Sequence, residues 1–138
     1  MKLSIISLSY DNVVYTRAFV KSIRENTTVP YELIIVDNGS EISTKKWVEQ
    51  AADKAIINEK NQGFARGFNK GVKKAVGEYI MLANNDTEFP PNWDHMLLAT
   101  MENNPEAGIV SPAYTSGRKS ALRNKAGSKI IKIIRILT

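Results

Sequence analysis

The chain of 138 residues contains no cysteine, so it can form no disulfide bond, no thiolate zinc site and no cysteine nucleophile. The missing cysteine is also consistent with a reducing compartment. No apolar stretch is long enough to span a bilayer, and the one that follows Met1 is too short for the core of a signal peptide. These absences predict a cytoplasmic protein. Its 138 residues are enough for one domain with a hydrophobic core.

Two glycine-rich phosphate-binding motifs are also missing. The first predicted strand runs into Ser9-Tyr10-Asp11-Asn12 and not into G-x-G-x-x-G, and no G-x-x-x-x-G-K-[ST] loop occurs anywhere. Both absences argue against an NAD-dependent enzyme and a P-loop NTPase. His95 is the only histidine, so no paired-histidine metal site can form. The sequence shows no Ser/His/Asp arrangement either, and we expect His95 to lie on the surface.

Acidic residues are missing from the last part of the chain. Residues 1–112 carry 12 Lys and Arg against 14 Asp and Glu, a net charge of −2, whereas residues 113–138 carry 7 Lys and Arg and no acid, a net charge of +7. We therefore divide the chain into a domain of residues 1–112 and a basic tail of residues 113–138. A nucleic-acid-binding domain would more often spread its cations over a folded face, so the pattern argues against that function.

Within residues 1–112, short apolar runs alternate with amphipathic segments. The pattern predicts five strands (Lys2–Ser9, Glu32–Asp37, Ala55–Ile57, Glu78–Ala83, Ile109–Val110) and four helices (Val13–Glu25, Ser43–Ala52, Ala65–Ala75, Trp93–Asn103). This alternation is typical of an α/β fold with a mostly parallel central sheet and helices on both faces. Ligands of such sheets bind beyond the carboxyl ends of the strands.

The second predicted strand ends in Asp37-Asn38-Gly39-Ser40. The Asp37 carboxylate at this strand end has two interpretations. It can accept hydrogen bonds from the base or ribose of a nucleotide, or it can form an ordinary Asx turn in which glycine supplies the positive φ. The motif alone favours the turn.

Glycines follow at positions 63, 67 and 71, a spacing that places them on one helix face. Glycine weakens a helix, so a compensating interaction is expected. Close packing of the helix on the sheet is one, and close approach of a ligand to the helix start is the other. In the second case Arg66 would meet a phosphate, and in the first it would simply be exposed.

The fourth predicted strand leads into Asn84-Asn85-Asp86. Mg²⁺ typically takes one or two carboxylates together with substrate phosphates, so Asp86 is a candidate ligand with an Asn84 or Asn85 amide as its neutral partner. The alternative is a loop in which these side chains are merely solvated, and this reading is favoured for the motif on its own.

Taken together and in order, these motifs resemble the family 2 glycosyltransferases with the GT-A fold, particularly the rhamnosyltransferase-like branch. The matching stretches are Leu3–Asn12, Leu33–Ser40, Asn61–Gly71 and Gly77–Trp93, so the resemblance covers roughly residues 2–112. It implies a Rossmann-like GT-A fold that is truncated, Mg²⁺ or Mn²⁺ as cofactor, a nucleotide diphospho-sugar donor, and transfer to a hydroxyl of a glycan or lipid-linked acceptor, with inversion.

The resemblance also assigns roles to individual residues. Asp86 matches the metal-binding carboxylate of the family's D-x-D motif, whose first acid is asparagine here. The residues matched to the nucleotide-sugar site are Ser9, Tyr10, Asp37, Asn38, Ser40, Asn61, Gly63, Arg66, Asn84 and Asn85.

The main departure from the family is the missing catalytic base. Family members place this base in a second half, after the D-x-D region, but no Asp or Glu follows Glu106 here. Glu88 and Asp94 are available and do not match the family position. The chain can thus be a fragment, a truncated product or a subunit completed by another protein. The expected protein partner is a second copy of the chain in a homo-oligomer or a completing subunit. The alternative function is a catalytically incompetent module that binds only a nucleotide or a partner.

The end of the predicted tail, Lys129–Leu137, repeats one cation and two apolar residues. As a helix it would present a basic stripe and an apolar face, which suits an anionic membrane surface and a position at the inner face of the membrane. Its β-branched residues suit a strand equally well. The favoured reading is a segment whose structural partner is missing. Nucleic-acid binding through this tail is the least favoured function.

Overall fold

A computed structural model of the chain describes residues 1–112 and 131–135. Its elements in chain order are β1 (Leu3–Ser9), α1 (Val13–Asn26), β2 (Tyr31–Asp37), α2 (Ile42–Ala51), β3 (Lys54–Ile57), α3 (Phe64–Val72), β4 (Tyr79–Asn84), α4 (Trp93–Asn103), β5 (Ile109–Val110) and β6 (Ile131–Arg135). The predicted alternation of strands and helices is confirmed. None of the helices in these two ranges is long and apolar enough to cross a membrane.

One six-stranded sheet, in the order β3-β2-β1-β4-β6-β5, organises the domain. Strands β1 to β4 are parallel, and β6 runs antiparallel to both β4 and β5. In the register, Ser9 lies beside Asp37, and Leu8 lies beside Asn84. The carboxyl ends of β1, β2 and β4 therefore meet at one edge of the sheet, as the alternation predicts.

Strand β6 corrects the assignment of residues 131–135 to a tail outside the domain. Ile133 is fully buried in the core and pairs with Met81, while Lys132 is exposed. The sequence allowed a strand here, but its position between β4 and β5 depends on pairing across a long sequence separation. The rest of the predicted basic tail, at 113–130 and 136–138, lies outside the described residues, and so does most of the segment proposed for a membrane surface.

Hydrophobic side chains cover both faces of the sheet. Helices α1, α2 and α4 pack on one face through residues such as Phe19, Val48 and Met101, and α3 packs on the other through Phe68. Trp93 at the start of α4 is 3% exposed and contributes to the larger of these clusters. The sheet is thus covered by helices on both faces, as predicted.

The glycine spacing of α3 serves two different purposes. A β-carbon at Gly67 would lie 2.9 Å from Leu8 Cδ2, and one at Gly71 would overlap Ile6 Cγ2, so these two glycines let the helix pack closely on the sheet. Gly63 precedes the helix, has a φ of +78°, and would place a β-carbon in open space. Packing therefore explains 67 and 71, whereas backbone conformation explains 63.

Glu32 forms a buried polar contact near the amino end of β2. Its Oε1 accepts hydrogen bonds from Ser4 Oγ at 2.5 Å and from Val76 N at 2.8 Å, and Lys54 Nζ lies 2.7 Å from its Oε2. Burial by itself would raise the pKa of Glu32, but the hydrogen bonds from Lys54, Ser4 and Val76 outweigh it and lower the pKa below the ordinary 4.5. The folded protein therefore favours the ionised form of this side chain.

We expect this contact to make the protein sensitive to acid. Because the pKa of Glu32 is lower in the folded than in the unfolded state, its stabilising contribution is complete above about pH 4.5 and is lost as the pH falls through the folded-state value. Glu32→Gln should lower the free energy of unfolding at pH 7 by about 1–3 kcal/mol, since a buried amide would then face Lys54. It should also flatten the loss of stability between pH 5 and pH 3, measured by thermal melts.

Glu49 on α2 is exposed and offers the matched control. Glu49→Gln should change the stability by less than about 0.5 kcal/mol and keep the wild-type pH dependence. A Glu32→Gln protein that melts like wild type at every pH would show that the contact contributes nothing.

Candidate functional site

A pocket of about 420 Å³ opens at the edge where β1 and β4 end. This volume lies in the range of small-molecule sites. The loops after β1, β3 and β4 form its walls, together with Asn38 from the end of β2. Its lining residues are Leu8, Tyr10, Asn12, Asn38, Asn61, Gly63, Phe64, Asn84, Asn85 and Asp86.

Most of the residues predicted for a ligand site come together in this pocket. The predicted residues that line it are Tyr10, Asn38, Asn61, Gly63, Asn84, Asn85 and Asp86, whereas Ser9, Asp37, Ser40 and Arg66 do not line it. Three further lining residues, Leu8, Asn12 and Phe64, were not predicted. Asn12 and Phe64 directly precede the predicted helix starts at Val13 and Ala65, which is the signal that could have pointed to them. Leu8 is an apolar strand residue and carries no polar signal.

Asp37 forms a turn at the end of β2. Its Oδ1 accepts hydrogen bonds from Gly39 N at 3.1 Å and from Ser40 N at 3.0 Å, and Gly39 has a φ of +92°. The Asx-turn reading of this motif is therefore what the local geometry shows. The side chain is fully buried, and its Oδ2 has no hydrogen-bond partner within the described part of the chain.

Ser40 connects the loops that follow β1 and β2. Its Oγ accepts a hydrogen bond from Asp11 N at 2.9 Å, and Asp11 Oδ1 in turn accepts one from Glu41 N at 2.8 Å, just before α2. Asp11 has a φ of 48°, a conformation that aspartate tolerates better than most residues. These two bonds hold the Tyr10 loop against the start of α2.

Asn38 joins β2 to the loop before α3. Its Nδ2 donates to Asn61 Oδ1 at 2.9 Å and to Gly63 O at 3.3 Å. Its Oδ1 accepts from Asn58 Nδ2 at 3.2 Å and from Gln62 N at 2.9 Å. These four bonds use the full capacity of the amide, which is only 4% exposed. Asn38 therefore stabilises the wall of the pocket by connecting the end of β2 to the loop before α3.

Asp86 is the only charged side chain among the described residues that line the pocket. Asn84 and Asn85 bring two amide groups beside it. The 1–112 and 131–135 ranges contain no group of three or more His, Cys, Asp and Glu side chains that could hold a metal ion. One carboxylate with neutral oxygen donors is nevertheless a set that Mg²⁺ or Mn²⁺ can use when phosphate oxygens complete the coordination. The donor set therefore fits a cation that binds together with a diphosphate.

Arg66 lies on the first turn of α3 and is exposed. It does not line the pocket, so the exposed alternative describes its position here. Among the lining residues that the structure describes there is no lysine or arginine, and the pocket consequently carries a negative charge. The charge of the lining would therefore suit a diphosphate only together with a cation.

Asp94, at the start of α4, is fully buried and has a structural role. Its Oδ2 accepts hydrogen bonds from Thr28 N at 2.7 Å, Val29 N at 3.0 Å and Thr28 Oγ1 at 3.1 Å. Burial would raise the pKa of Asp94, but the backbone amides of Thr28, Val29 and His95 together with the Thr28 hydroxyl lower it on balance. A buried and ionised carboxylate held in this way is not placed to deprotonate an acceptor.

Comparison with known proteins places this architecture in a family. Residues 4–136 match glycosyl transferase family 2. An uncharacterized glycosyltransferase of Bacillus subtilis is 33% identical over 131 residues, which are 91% of this chain and 49% of that protein. The glucosyl-dolichyl phosphate glucuronosyltransferase of Haloferax volcanii is 28% identical over 126 residues, 84% of this chain and 40% of that protein.

Solved structures share the same fold. The mannosyltransferase of Pyrobaculum calidifontis, in complex with GDP-Man and Mn²⁺, superposes with a TM-score of 0.73 at 19% identity, over 83% of this chain and 36% of its own. TarS 1–349 of S. aureus, in complex with UDP-GlcNAc, superposes with a TM-score of 0.71 at 21% identity, over 87% of this chain and 37% of its own.

The chain spans about half, or less, of the length of these curated relatives. The match of residues 4–136 covers almost all of its sequence, and its fold superposes on both solved structures. The chain belongs to glycosyl transferase family 2 and has the mostly parallel, Rossmann-like α/β GT-A fold.

Proposed function

We propose that this chain binds the nucleotide diphospho-sugar donor of a glycosyltransferase, together with Mg²⁺ or Mn²⁺, in the pocket at the carboxyl end of β1 and β4. The observation that carries the proposal is the meeting of Asp86 with the amide side chains of Asn61, Asn84 and Asn85 in one pocket of suitable size. The sugar is transferred to a hydroxyl acceptor with inversion. The assignment to a rhamnosyltransferase-like branch belongs to this proposal.

Each wall of the pocket has a role in this mechanism. Asp86 would hold the metal through its carboxylate, with Asn84 or Asn85 as a neutral oxygen donor. When bound, the cation neutralises the negative charge of the departing diphosphate. Tyr10, half exposed at the rim, presents an aromatic ring to the nucleotide.

Four of the predicted residues do not line the pocket and have supporting roles in this proposal. Ser9 and Ser40 support the wall that carries Tyr10, and Asp37 shapes the turn beside Asn38, since its carboxylate is buried and does not line the pocket. Arg66 would neutralise phosphate charge from outside the pocket lining. Asn61 and Gly63 line the pocket as well and form its wall in the loop before α3.

Among the described residues we identify no side chain placed to act as the catalytic base. Inverting transfer needs a base that removes the proton of the acceptor hydroxyl. Asp94 is buried, and no acid follows Glu106 in the sequence. We infer that the base comes from the part of a longer protein that the relatives have, or from another subunit. The same observation favours a second candidate function for the isolated chain, a module that binds a nucleotide and transfers no sugar.

The relatives suggest the chemistry of the partners. TarS and the mannosyltransferase were solved with UDP-GlcNAc and with GDP-Man and Mn²⁺, and the Haloferax relative is named for a dolichyl phosphate substrate. A nucleotide diphospho-sugar donor and a glycan or lipid-linked acceptor are accordingly our proposal here. We also propose a cytoplasmic location at the periphery of the membrane.

Calorimetric titration with UDP, GDP and dTDP, with and without Mn²⁺, tests this function. We expect at least one nucleotide to bind, with an affinity that Mn²⁺ increases. Absence of binding by all three, or binding that is indifferent to Mn²⁺, would contradict the proposal. A transfer and hydrolysis assay on the same protein then separates the two candidates, because only the enzyme consumes a sugar nucleotide.

A further inference from the structure

We propose that Thr16, which lies behind the pocket on α1, is a positioning residue for the Asn84–Asp86 loop. This inference rests on the proposed function, because the loop carries the proposed metal ligand. Thr16 is fully buried and does not line the pocket. Any influence on a ligand therefore passes through the residues that its hydroxyl contacts.

The Thr16 hydroxyl connects two walls of the pocket. Its Oγ1 accepts a hydrogen bond from Asn85 Nδ2 at 2.8 Å and donates one to Asn12 O at 3.2 Å. Ser9 Oγ lies 3.4 Å away and completes a buried polar cluster. Asn12 and Asn85 both line the pocket, so one hydroxyl ties the loop after β1 to the loop after β4.

The residue type suits this role. A threonine hydroxyl donates one hydrogen bond and accepts others, so it can serve the Asn12 carbonyl and the Asn85 amide at the same time. Because the amide of Asn85 is planar, fixing its nitrogen also fixes the direction of its carbonyl oxygen. That oxygen is one of the neutral donors proposed beside the Asp86 carboxylate.

The loop itself is a tight turn, and the hydrogen bond from Asn85 to Thr16 connects it to α1. Thr87 N donates to Asn84 O at 3.2 Å, which closes the turn. Asn85 lies between Asn84 and Asp86 in the chain. A change in its side-chain anchor consequently displaces the neighbouring residue whose carboxylate would face the metal.

The test compares three variants by calorimetric titration of whichever of UDP, GDP or dTDP binds wild type best, with and without Mn²⁺. Thr16→Val removes the hydroxyl at nearly constant volume and leaves the Asn85 amide without its acceptor. We expect it to weaken the affinity measured with Mn²⁺ by about 5- to 20-fold, since the half-buried Asn85 side chain loses the hydrogen bond that fixes its direction. The affinity measured without Mn²⁺ should stay within about twofold, which a general structural defect would not allow.

Two matched variants accompany this measurement. Thr16→Ser keeps the hydroxyl and should retain Mn²⁺-dependent binding within about threefold of wild type. Thr44→Val makes the same change at a buried position of α2 outside the pocket lining and should leave both affinities unchanged. If Thr16→Val does not fold, Thr16→Ala takes its place, and circular dichroism melts identify the folded variants.

A double-mutant cycle with Asn85→Ala identifies the path. If Thr16 acts through Asn85, the double variant should bind no more weakly than the weaker single variant, because both changes remove one bond. Wild-type protein that binds nucleotide with Mn²⁺ dependence, beside a Thr16→Val protein that binds in the same way, would overturn this inference alone. Equal weakening by Thr16→Val and Thr16→Ser, or additive losses in the cycle, would overturn it as well. Wild-type protein that binds none of the three nucleotides would overturn the proposed function instead.

Discussion

Asp86→Asn is expected to abolish the Mn²⁺-dependent part of nucleotide binding. Asp86 supplies the only carboxylate among the described pocket-lining residues, and asparagine replaces it with a neutral group of the same shape. Changes to the outer-shell partners of a metal ligand already cost about 10- to 100-fold in metal affinity, so loss of the ligand itself should cost at least as much. The measurement is a nucleoside diphosphate titration at several Mn²⁺ concentrations, in which the variant should show the affinity that wild type has without metal.

Glu88→Gln provides the comparison for this experiment. Glu88 lies two residues after Asp86 and is exposed, and its change to Gln removes the same negative charge. The variant should therefore bind nucleotide and Mn²⁺ as wild type does. If Mn²⁺ strengthens binding to Asp86→Asn as much as to wild type, another group holds the metal and the role proposed for Asp86 is wrong. Thermal melts of both variants show whether the fold is preserved.

Asn38→Asp should cause the second large effect, a loss of both stability and nucleotide affinity. A carboxylate at this position would face Asn61 Oδ1 and Gly63 O, two acceptors that now receive hydrogen bonds from the Asn38 amide. The site is only 4% exposed, so the charge would be buried with the Asn58 amide and the Gln62 N–H as donors but with no cation among its hydrogen-bond partners. We expect a loss of about 2–4 kcal/mol in the free energy of unfolding, measured by urea denaturation, and weaker binding as the pocket wall moves.

The same substitution at an exposed asparagine serves as its control. Asn103 ends α4 far along the chain from the pocket motifs and is exposed, so Asn103→Asp should change stability by less than about 0.5 kcal/mol. An Asn38→Asp protein with wild-type stability and nucleotide affinity would mean that the four hydrogen bonds of Asn38 do not shape the pocket.

The strand pattern and the strand ends could be predicted from the sequence because they depend on local information. Apolar runs such as Leu33–Val36 mark strands buried on both faces, and the alternation with helices requires parallel pairing. Parallel strands deliver their carboxyl ends to one edge, and for that reason the sequence predicts that Asn84, Asn85 and Asp86 lie near Tyr10 at the end of the first strand. The family resemblance named the same positions.

The roles of several residues could not be read from the sequence, since they depend on partners that are distant in the chain. The sequence predicts that Asn38 contacts a nucleotide, whereas in the structure four hydrogen bonds within the protein occupy its amide and place it in the wall of the pocket. Thr16 gave no signal, because its bond to Asn85 joins residues 69 positions apart. The sequence also could not distinguish the packing role of the glycines at 67 and 71 from the backbone role of the one at 63. Only the position of Leu8 and Ile6 under α3 distinguishes these roles.

The sequence by itself determined that this chain forms a mostly parallel α/β sheet with polar residues gathered at one edge, because hydrophobic periodicity and strand direction are local properties. Only the tertiary structure decided that residues 131–135 enter the sheet between β4 and β5, and which polar side chains line the pocket rather than support it. Both features depend on strand pairing between segments that are distant in the chain and on the hydrogen bonds of buried polar groups. Those groups need partners, which only the folded chain brings close to them.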